Sequence, residues 1–382
     1  MDKSKSGLSE LKRHLTTFAV AFLGGLLFTW IDIPVPWLLG PMVLTLAVSL
    51  IFKISLPWHS SIRNVAMILI GYMIGLSFTM ETLWAMAGYL PAMLLLTGML
   101  MLMSGAFAYL MSRLSGLDFP TILMGSIPGG LTQTLILAEE TKGIDLTTVT
   151  VYQVIRLMMV ILAVPLLLFS PLYGVDRAAL TDEVISGANT VPEGVRVGAG
   201  LSWEMFAFVI TAWASALAAR RIKLPTPYLL GPMLGVMLLQ LLWQPAPEMP
   251  IIASDAAQLM LGTGIGLMLK PSGIQHKLRT IGYAMGSSLL LITGAAGLSL
   301  LLYLLCGFAP ATALLSMAPG GSDQISILAH EVNADLPMVA GFQLFRTFFI
   351  MLAVPPLIRL ILKLHKGRSI RTSQQDRRQP RA

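Results

Sequence analysis

Two short stretches that interrupt apolar runs constrain the fold of this chain more than any other feature. The first, Ile-Pro-Gly-Gly-Leu-Thr-Gln, spans residues 127–133, and the second, Ala-Pro-Gly-Gly-Ser-Asp-Gln, spans residues 318–324. Proline lacks a backbone donor and clashes with the preceding helical turn, while glycine adopts dihedral angles that other residues avoid. Each stretch therefore predicts that one helix ends, the backbone turns and a second helix begins.

Composition predicts that both breaks lie inside a membrane protein. Hydrophobic residues make up 55% of the 382 residues and charged residues only 12%, with a mean hydropathy of +0.76. A soluble domain carries about 25% charged residues. At membrane depth an irregular backbone is tolerated only where it is buried in protein or lines a water-filled cavity. Two such breaks at matching positions point to the binding site of a secondary transporter.

The sequence contains an internal duplication. Gly231 follows Gly40 by 191 residues (231 − 40), and both lie in the pattern Pro-x-Leu-Leu-Gly-Pro-Met. The same interval separates two Gly-x-x-Ile-Gly-Leu motifs and the two Pro-Gly-Gly breaks. It falls to 190 for the two Gln-x-x-Arg motifs that begin at Gln153 and Gln343. An interval that stays constant over such a length indicates two copies of one unit.

Apolar runs of about the length that a bilayer demands predict the membrane spans. Repeat one, residues 15–170, has predicted spans at 15–31, 36–53, 62–80, 88–112 and 146–170, with a broken segment at 119–142. Repeat two, residues 203–363, has predicted spans at 203–220, 227–244, 254–270, 280–306 and 336–363, with a broken segment at 310–332. The predicted fold is an all-α polytopic membrane protein.

Loop charge predicts that the repeats have inverted topology, because Lys and Arg concentrate in cytoplasmic loops. The cytoplasmic parts are then the basic stretches 1–14 and 364–382, the loop charge Arg63 and the loop at Lys223. The polar linker 171–202 is periplasmic. This requires five crossings per repeat, so each Pro-Gly-Gly segment is a re-entrant hairpin. In the alternative, each segment is a kinked full crossing, the repeats are parallel, and Lys223 lies outside. The predicted location is the inner membrane of a bacterium.

Enzymatic and nucleic-acid-binding functions find no support in the residue pattern. Cys306 is the only cysteine, and the five histidines are scattered without a pair at metal-binding spacing. We therefore expect no metal site, no cofactor and no catalytic residues. No helix-turn-helix, zinc-finger spacing or aromatic-basic platform occurs, so direct binding of nucleic acid is not expected.

The helices that follow the two breaks are predicted to begin at Leu131 and Ser322. Their N-termini direct backbone N–H groups and positive dipole ends toward one cavity, which favours an anionic ligand. An arginine at membrane depth costs about 2.5–3.5 kcal/mol on insertion scales, so it faces a partner or a wet cavity. The predicted substrate-binding residues are Gly129, Gly130, Thr132, Gln133, Gln153, Arg156, Gly320, Gly321, Ser322, Gln324, Gln343 and Arg346.

These assignments have structural alternatives. The breaks are either a binding site or plain kinks, and the arginines either bind acidic groups of a substrate or hold the free carbonyls of the turns. Asp323, whose counterpart is Thr132, is either a coupling site for a proton or sodium ion, or a fixed salt-bridge partner of Arg346 or Arg156. Residues at the exits of the broken segments are either interfacial or gates: Glu139, Glu140, His330 and Glu331.

The duplicated Pro-x-x-Leu-Gly-Pro, Gly-x-x-Ile-Gly and Pro-Gly-Gly-x-x-Gln blocks resemble those of the AbrB-type membrane duplication family of bacteria. The resemblance covers residues 15–165 and 205–363. Members carry labels either as regulators of gene expression or as ammonia monooxygenases, and the resemblance implies no substrate and no site residues. The scattered histidines and single cysteine do not supply the metal ligands that a monooxygenase needs.

Two functions follow as hypotheses. The first is a secondary transporter or exporter of a small anionic metabolite, coupled to a proton or sodium ion, that works by alternating access around the two broken helices in contact with membrane lipid. The alternative is an integral membrane regulatory protein that affects gene expression indirectly and does not transport. A sensor needs an output module, and the chain after Leu364 is only a short basic stretch, which favours transport.

Overall fold

The computed structural model of the chain is built from α-helices. It describes residues 2–33, 35–54, 56–129, 131–141, 143–171, 173, 203–243, 249–268 and 277–376, without the side chains of 2–11, 131–133, 136, 140, 277–278 and 357–376. This part of the chain contains no strand, which confirms the all-α class. Apart from residues 171 and 173, the predicted linker lies outside the described residues.

Fifteen helices are present in the described part of the chain. The first half contains α1 (Asp2–Trp30), α2 (Pro36–Ile51), α3 (Ser60–Leu76), α4 (Met80–Gly88), α5 (Leu90–Ser115), α6 (Phe119–Ser126), α7 (Leu131–Glu140) and α8 (Leu146–Leu168). The second half contains α9 (Trp203–Arg221), α10 (Pro227–Leu242), α11 (Ile251–Gly266), α12 (Lys277–Cys306), α13 (Pro310–Met317), α14 (Ser322–Glu331) and α15 (Leu336–Asp376). The helices α10, α13 and α14 begin 191 residues after α2, α6 and α7.

Four helices among the described residues are long and apolar enough to cross a membrane: Leu90–Ser115, Leu146–Leu168, Arg279–Cys306 and Leu336–Pro356. A fifth is added if α3 and α4, which meet at 89°, count as one span. The apolar helices α2 and α10 have only 16 residues each. The chain is therefore consistent with a helical membrane protein, and five crossings per repeat stay a prediction.

Helix α4 lies between the predicted spans 62–80 and 88–112, where no helix was expected. It starts at a capping box, in which Thr79 accepts a hydrogen bond from the backbone N–H of Thr82 and Thr82 bonds back to Thr79. The two terminal stretches are also helical, because α1 starts at Asp2 and α15 runs to Asp376. The boundaries predicted at residues 14 and 364 are therefore not helix ends.

The two halves interlock through two equivalent contacts. Helix α3 packs against α10, and α11 packs against α2. A Cβ at Gly71 of α3 would overlap the carbonyl oxygen of Leu229, and a Cβ at Gly262 of α11 would overlap that of Leu38. Helix backbones approach this closely only where small residues stand at the contact. The repeated Gly-x-x-Ile-Gly motif thus joins one half to the other.

Close approach also occurs within each half. A Cβ at Gly40 of α2 would overlap the carbonyl of Gly24 on α1, and a Cβ at Gly231 of α10 would lie 2.5 Å from the carbonyl oxygen of Ser215 on α9. The glycine of each Gly-Pro motif thus lets two neighbouring helices of the same half approach closely. Together these contacts form a scaffold of α1–α3 and α9–α11, beside which the broken helices lie.

Candidate functional site

Both Pro-Gly-Gly stretches interrupt helices where the sequence predicted. Helix α6 ends at Ser126 and α7 begins at Leu131, while α13 ends at Met317 and α14 begins at Ser322. Each turn packs against the long helix of the other half, since a Cβ at Gly320 would lie 3.0 Å from Val160 of α8. Gly130 lies outside the described residues, as do the side chains of Thr132 and Gln133.

Arg156 of α8 holds the first break. Its Nη1 donates to the carbonyl of Ile127, and its Nη2 donates to the carbonyl of Gly129 at 3.3 Å. Gln153, one helical turn earlier, accepts from Nη2 of Arg156 at 2.7 Å and donates to the carbonyl of Met124 at 2.9 Å. These carbonyls have no helical partner because the chain turns, so the two side chains satisfy them instead.

Arg346 and Gln343 of α15 hold the second break in the same way. Nη1 of Arg346 donates to the carbonyl of Ala318 at 2.9 Å, and Nη2 donates to Gly320 at 3.4 Å and to Oε1 of Gln343. Gln343 donates to the carbonyl of Leu315 at 2.8 Å. This geometry supports the structural alternative for both arginines: each binds the carbonyls of a turn.

The two arginines are not fully used by these contacts. Arg156 and Arg346 are each only 3% exposed, and the Nε of each is buried without a hydrogen-bond partner. Each arginine is therefore a buried cation that binds a turn and still has a donor to spare.

A cavity lies at the second break, between this turn and helices α3, α8 and α10. Its polar lining consists of Arg63, Arg156, Thr226, Ser322, Asp323, Gln324 and Thr347. Three glycines of the two turns, Gly129, Gly320 and Gly321, and four apolar residues complete its wall. It has room for about three water molecules in this conformation. Residues from both halves and both breaks thus meet at one place.

Asp323 shares the cavity with a cation that the sequence did not suggest as its partner. The residue is 5% exposed, its Oδ2 has no hydrogen-bond partner, and Arg63 lines the same cavity. The Nε of Arg63 is also buried without a partner. A salt bridge from Asp323 to Arg156 or Arg346 is not part of the described contacts, since both arginines bind turn carbonyls.

Arg63 is a candidate functional residue that sequence reasoning missed. It was interpreted as a cytoplasmic loop charge, but it lies inside α3 and lines the cavity. A signal was present in the repeat, because the residue at the equivalent position of the second half is Ser254. The two repeats therefore differ in charge at this cavity-lining position.

The remaining predicted residues lie at the far end of α14 and α7. Glu331 accepts a hydrogen bond from Nε2 of the buried Gln258 at 2.7 Å, which ties the end of α14 to α11. His330 and Glu139 are exposed, and the side chain of Glu140 lies outside the described residues. The structure does not bring this group into the cavity lined by Asp323.

The duplicated features extend over nearly the whole chain. They include the constant interval of the repeat, the two breaks and the arginine that binds the carbonyls of each break. A family described as "Transition state regulatory protein AbrB" matches residues 37–362 of the sequence. The chain belongs to the AbrB family. The resemblance inferred from the duplicated blocks is thereby confirmed.

Two relatives show how far this family likeness extends. "Uncharacterized protein YhjN" of Bacillus subtilis (strain 168) is 26% identical over 373 residues, which cover 93% of this chain and 95% of the relative. "Putative regulator AbrB" of Escherichia coli (strain K12) is 27% identical over 334 residues, covering 87% and 92%. Both align almost from end to end, so the likeness includes both halves.

Proposed function

We propose that this AbrB-family protein is a secondary transporter of a small anion. The observation that carries the proposal is the charge of the cavity, where Arg63 and Arg156 stand against the single carboxylate of Asp323, while Arg346 binds the carbonyl of Gly320 in its wall. Buried charge of one sign is costly unless an opposite charge offsets it. A bound anion supplies that charge, at the N-terminus of α14 where the positive end of the helix dipole favours it.

The size of the cavity supports a mechanism of alternating access. The cavity holds about three water molecules and is too small for most metabolites. A larger solute therefore enters only when the broken helices or the scaffold helices shift. Two equivalent broken helices around one site are the arrangement in which rocking of one repeat against the other exposes the site to each face in turn. The solute and the coupling ion are identified by experiment.

The proposed topology has inverted repeats of five crossings with a re-entrant hairpin in each, the linker 171–202 in the periplasm and both termini in the cytoplasm of a bacterial inner membrane. Each break has four residues, 127–130 and 318–321, which is enough chain for a turn between the two arms of a hairpin.

Anion binding tests the proposal directly. Thermal unfolding of the purified protein is measured with phosphate, sulfate, acetate, oxalate and succinate at constant ionic strength, against chloride. We expect at least one of them to raise the unfolding temperature of the wild type and of Arg113→Ala, which changes an exposed arginine outside the cavity lining. The Arg63→Ala variant should not respond. Equal responses of wild type and Arg63→Ala contradict the proposal.

A second candidate function rests on the comparisons. The E. coli relative is named as a regulator, which supports an integral membrane protein that binds a solute and affects gene expression indirectly, without transport. Uptake into proteoliposomes separates the two. A transporter moves the stabilising anion into the vesicle, whereas a sensor binds it and leaves the internal concentration unchanged.

A further inference from the structure

A second cavity lies on the other side of the start of α14. Its lining is apolar except for one residue and consists of Val35, Leu38, Val160, Ile325, Leu328 and Gln324 among others. It has room for about one water molecule. The cavity with Asp323 is therefore the larger and more polar of the two; we call it the wide cavity and this one the narrow cavity.

One wall of each cavity comes from the same position in the two repeats. Val35 and Leu38 line the narrow cavity, and Thr226 and Leu229, each 191 residues later, line the wide one. If the two halves have inverted topology, equivalent positions face opposite sides of the membrane. The two cavities then open toward opposite sides.

Backbone strain marks the same two positions. Val35 precedes α2 with a φ of 52°, and Thr226 precedes α10 with a φ of 43°. A β-branched residue rarely adopts this left-handed conformation, because its Cβ substituents clash with the backbone. Such strain persists only where the surrounding structure holds it, and it clusters at functional sites.

Gln324 lines both cavities. It is 3% exposed, and its Oε1 is buried without a hydrogen-bond partner. Its side chain folds back over the turn, since a Cβ at Gly321 would overlap the Oε1 of Gln324. An unpaired buried amide oxygen is unfavourable, so packing alone does not account for a glutamine here.

We propose that the two cavities are halves of one solute path and that Gln324 is the barrier between them. The inference rests on the proposed transport function and adds to it the residue that closes the path. With its side chain folded over Gly321, Gln324 separates the wide cavity from the narrow one. When the turn shifts, the same amide group is free to hydrogen-bond to a passing anion or its water.

Cysteine labelling tests this without knowledge of the solute. On a Cys306→Ser background, Thr226→Cys and Val35→Cys variants are treated with a membrane-impermeant maleimide in right-side-out and in inside-out vesicles. We expect Thr226→Cys to react from one face, and Val35→Cys not to react from that face. Adding Gln324→Ala should make Val35→Cys react from the face of Thr226→Cys, at a comparable rate.

Gln258→Ala is the matched control. Gln258 is also buried with an unpaired Oε1, but it lines neither cavity. We expect Gln258→Ala to leave the labelling of Val35→Cys unchanged. Gln324→Leu, which refills the space without a polar group, should keep the barrier closed.

A second variant that should open the barrier keeps the test informative if Gln324→Ala misfolds. Gly321→Ala forces the Gln324 side chain to move, so we expect it to expose Val35→Cys as Gln324→Ala does. The inference is overturned if Gln324→Ala and Gly321→Ala both elute as folded protein and neither changes the labelling. It is also overturned if Thr226→Cys reacts from neither face. A third contrary result is a Val35→Cys variant that reacts from the face of Thr226→Cys while Gln324 and Gly321 are unchanged. If the labelling is as expected but no anion binds, the proposal that the solute is an anion is wrong, whereas the proposed path between the two cavities is supported.

Discussion

Arg63 and Asp323 line the same cavity, although neither has a charged counterpart in the other half of the chain. The residues at their equivalent positions are Ser254 and Thr132, each at an interval of 191 residues. The two repeats therefore differ by one positive and one negative charge at a single site. Both Nε of Arg63 and Oδ2 of Asp323 lack hydrogen-bond partners, so the pair is not a closed salt bridge.

Anion transport through this cavity is expected to carry a proton on Asp323. An anion next to Arg63 faces the carboxylate of Asp323, and two negative charges repel strongly in a medium of low dielectric constant. Protonation of Asp323 removes this repulsion. In proteoliposomes, an acidic outside should drive accumulation of the stabilising anion by the wild type.

The Asp323→Asn variant mimics the protonated form permanently. We expect it to exchange the anion across the membrane and to lose accumulation driven by the proton gradient. Glu139→Gln, which changes an exposed carboxylate, should behave like the wild type. Gradient-driven accumulation that persists in Asp323→Asn would show that Asp323 does not carry the proton.

Arg156 is expected to stabilise the fold. In Arg156→Ala, the carbonyl of Gly129 loses its side-chain donor, whereas that of Ile127 keeps Gln153 Nε2 and the N–H of Gly129. A buried acceptor without a partner costs about 1–3 kcal/mol, so the free energy of unfolding in detergent should fall by about that amount. The stability of Arg156→Lys should lie between those of the wild type and Arg156→Ala, because one ammonium group cannot replace the guanidinium, which donates to two carbonyls at once.

Arg346→Ala should be destabilised to a similar degree, since it makes the equivalent contacts. Arg113→Ala serves as the surface control and should unfold like the wild type. The result that contradicts this account is an Arg156→Ala protein that is as stable as the wild type but no longer responds to the anion. In that case the arginine is a substrate ligand and not a clamp.

Gly71 and Gly262 are expected to be intolerant of any side chain. In Gly71→Ala the new methyl group meets the carbonyl of Leu229, so α3 and α10 must separate, at a cost of about 1–3 kcal/mol. Gly98→Ala is the control, because nothing lies within 4 Å of a Cβ there. Since alanine favours helix more than glycine, that variant should gain up to about 1 kcal/mol.

The unfolding temperatures of Gly71→Ala, Gly262→Ala and Gly98→Ala test whether the close contact between the halves stabilises the scaffold. If the first two unfold at the temperature of Gly98→Ala, the close contact between the halves does not hold the scaffold together. A loss in only one of the two would indicate that the equivalent contacts differ in strength.

Local chemistry explains what could be predicted from the sequence. Proline and glycine act on the backbone at their own positions, so the breaks after Ser126 and Met317 were located from the residues alone. The function of Arg63 was not predictable in this way. A cation near the end of an apolar run is typical of a loop, and only the packing of α3 against α14 brings it to Asp323.

The carbonyls that Arg156 binds could be proposed only as one of two alternatives. A sequence shows that an arginine lies in an apolar span, but not whether its partner is a substrate or the backbone. The capping box at Thr79 was also missed, because the apolar run continues through it and hides the local start of α4. In each case a contact in three dimensions decided between patterns that were equally consistent with the sequence.

The topology of the repeats is the last prediction, and labelling of single cysteines tests it. On the Cys306→Ser background, Ser186→Cys in the linker 171–202 should react only from outside, and Lys223→Cys, which follows α9, only from inside. Gly129→Cys and Gly320→Cys should react through a water path, because both turns line the wide cavity. Reaction of Ser186→Cys and Lys223→Cys from the opposite faces would mean that each broken segment crosses the membrane. The repeats would then be parallel, and the two cavities would open on one side.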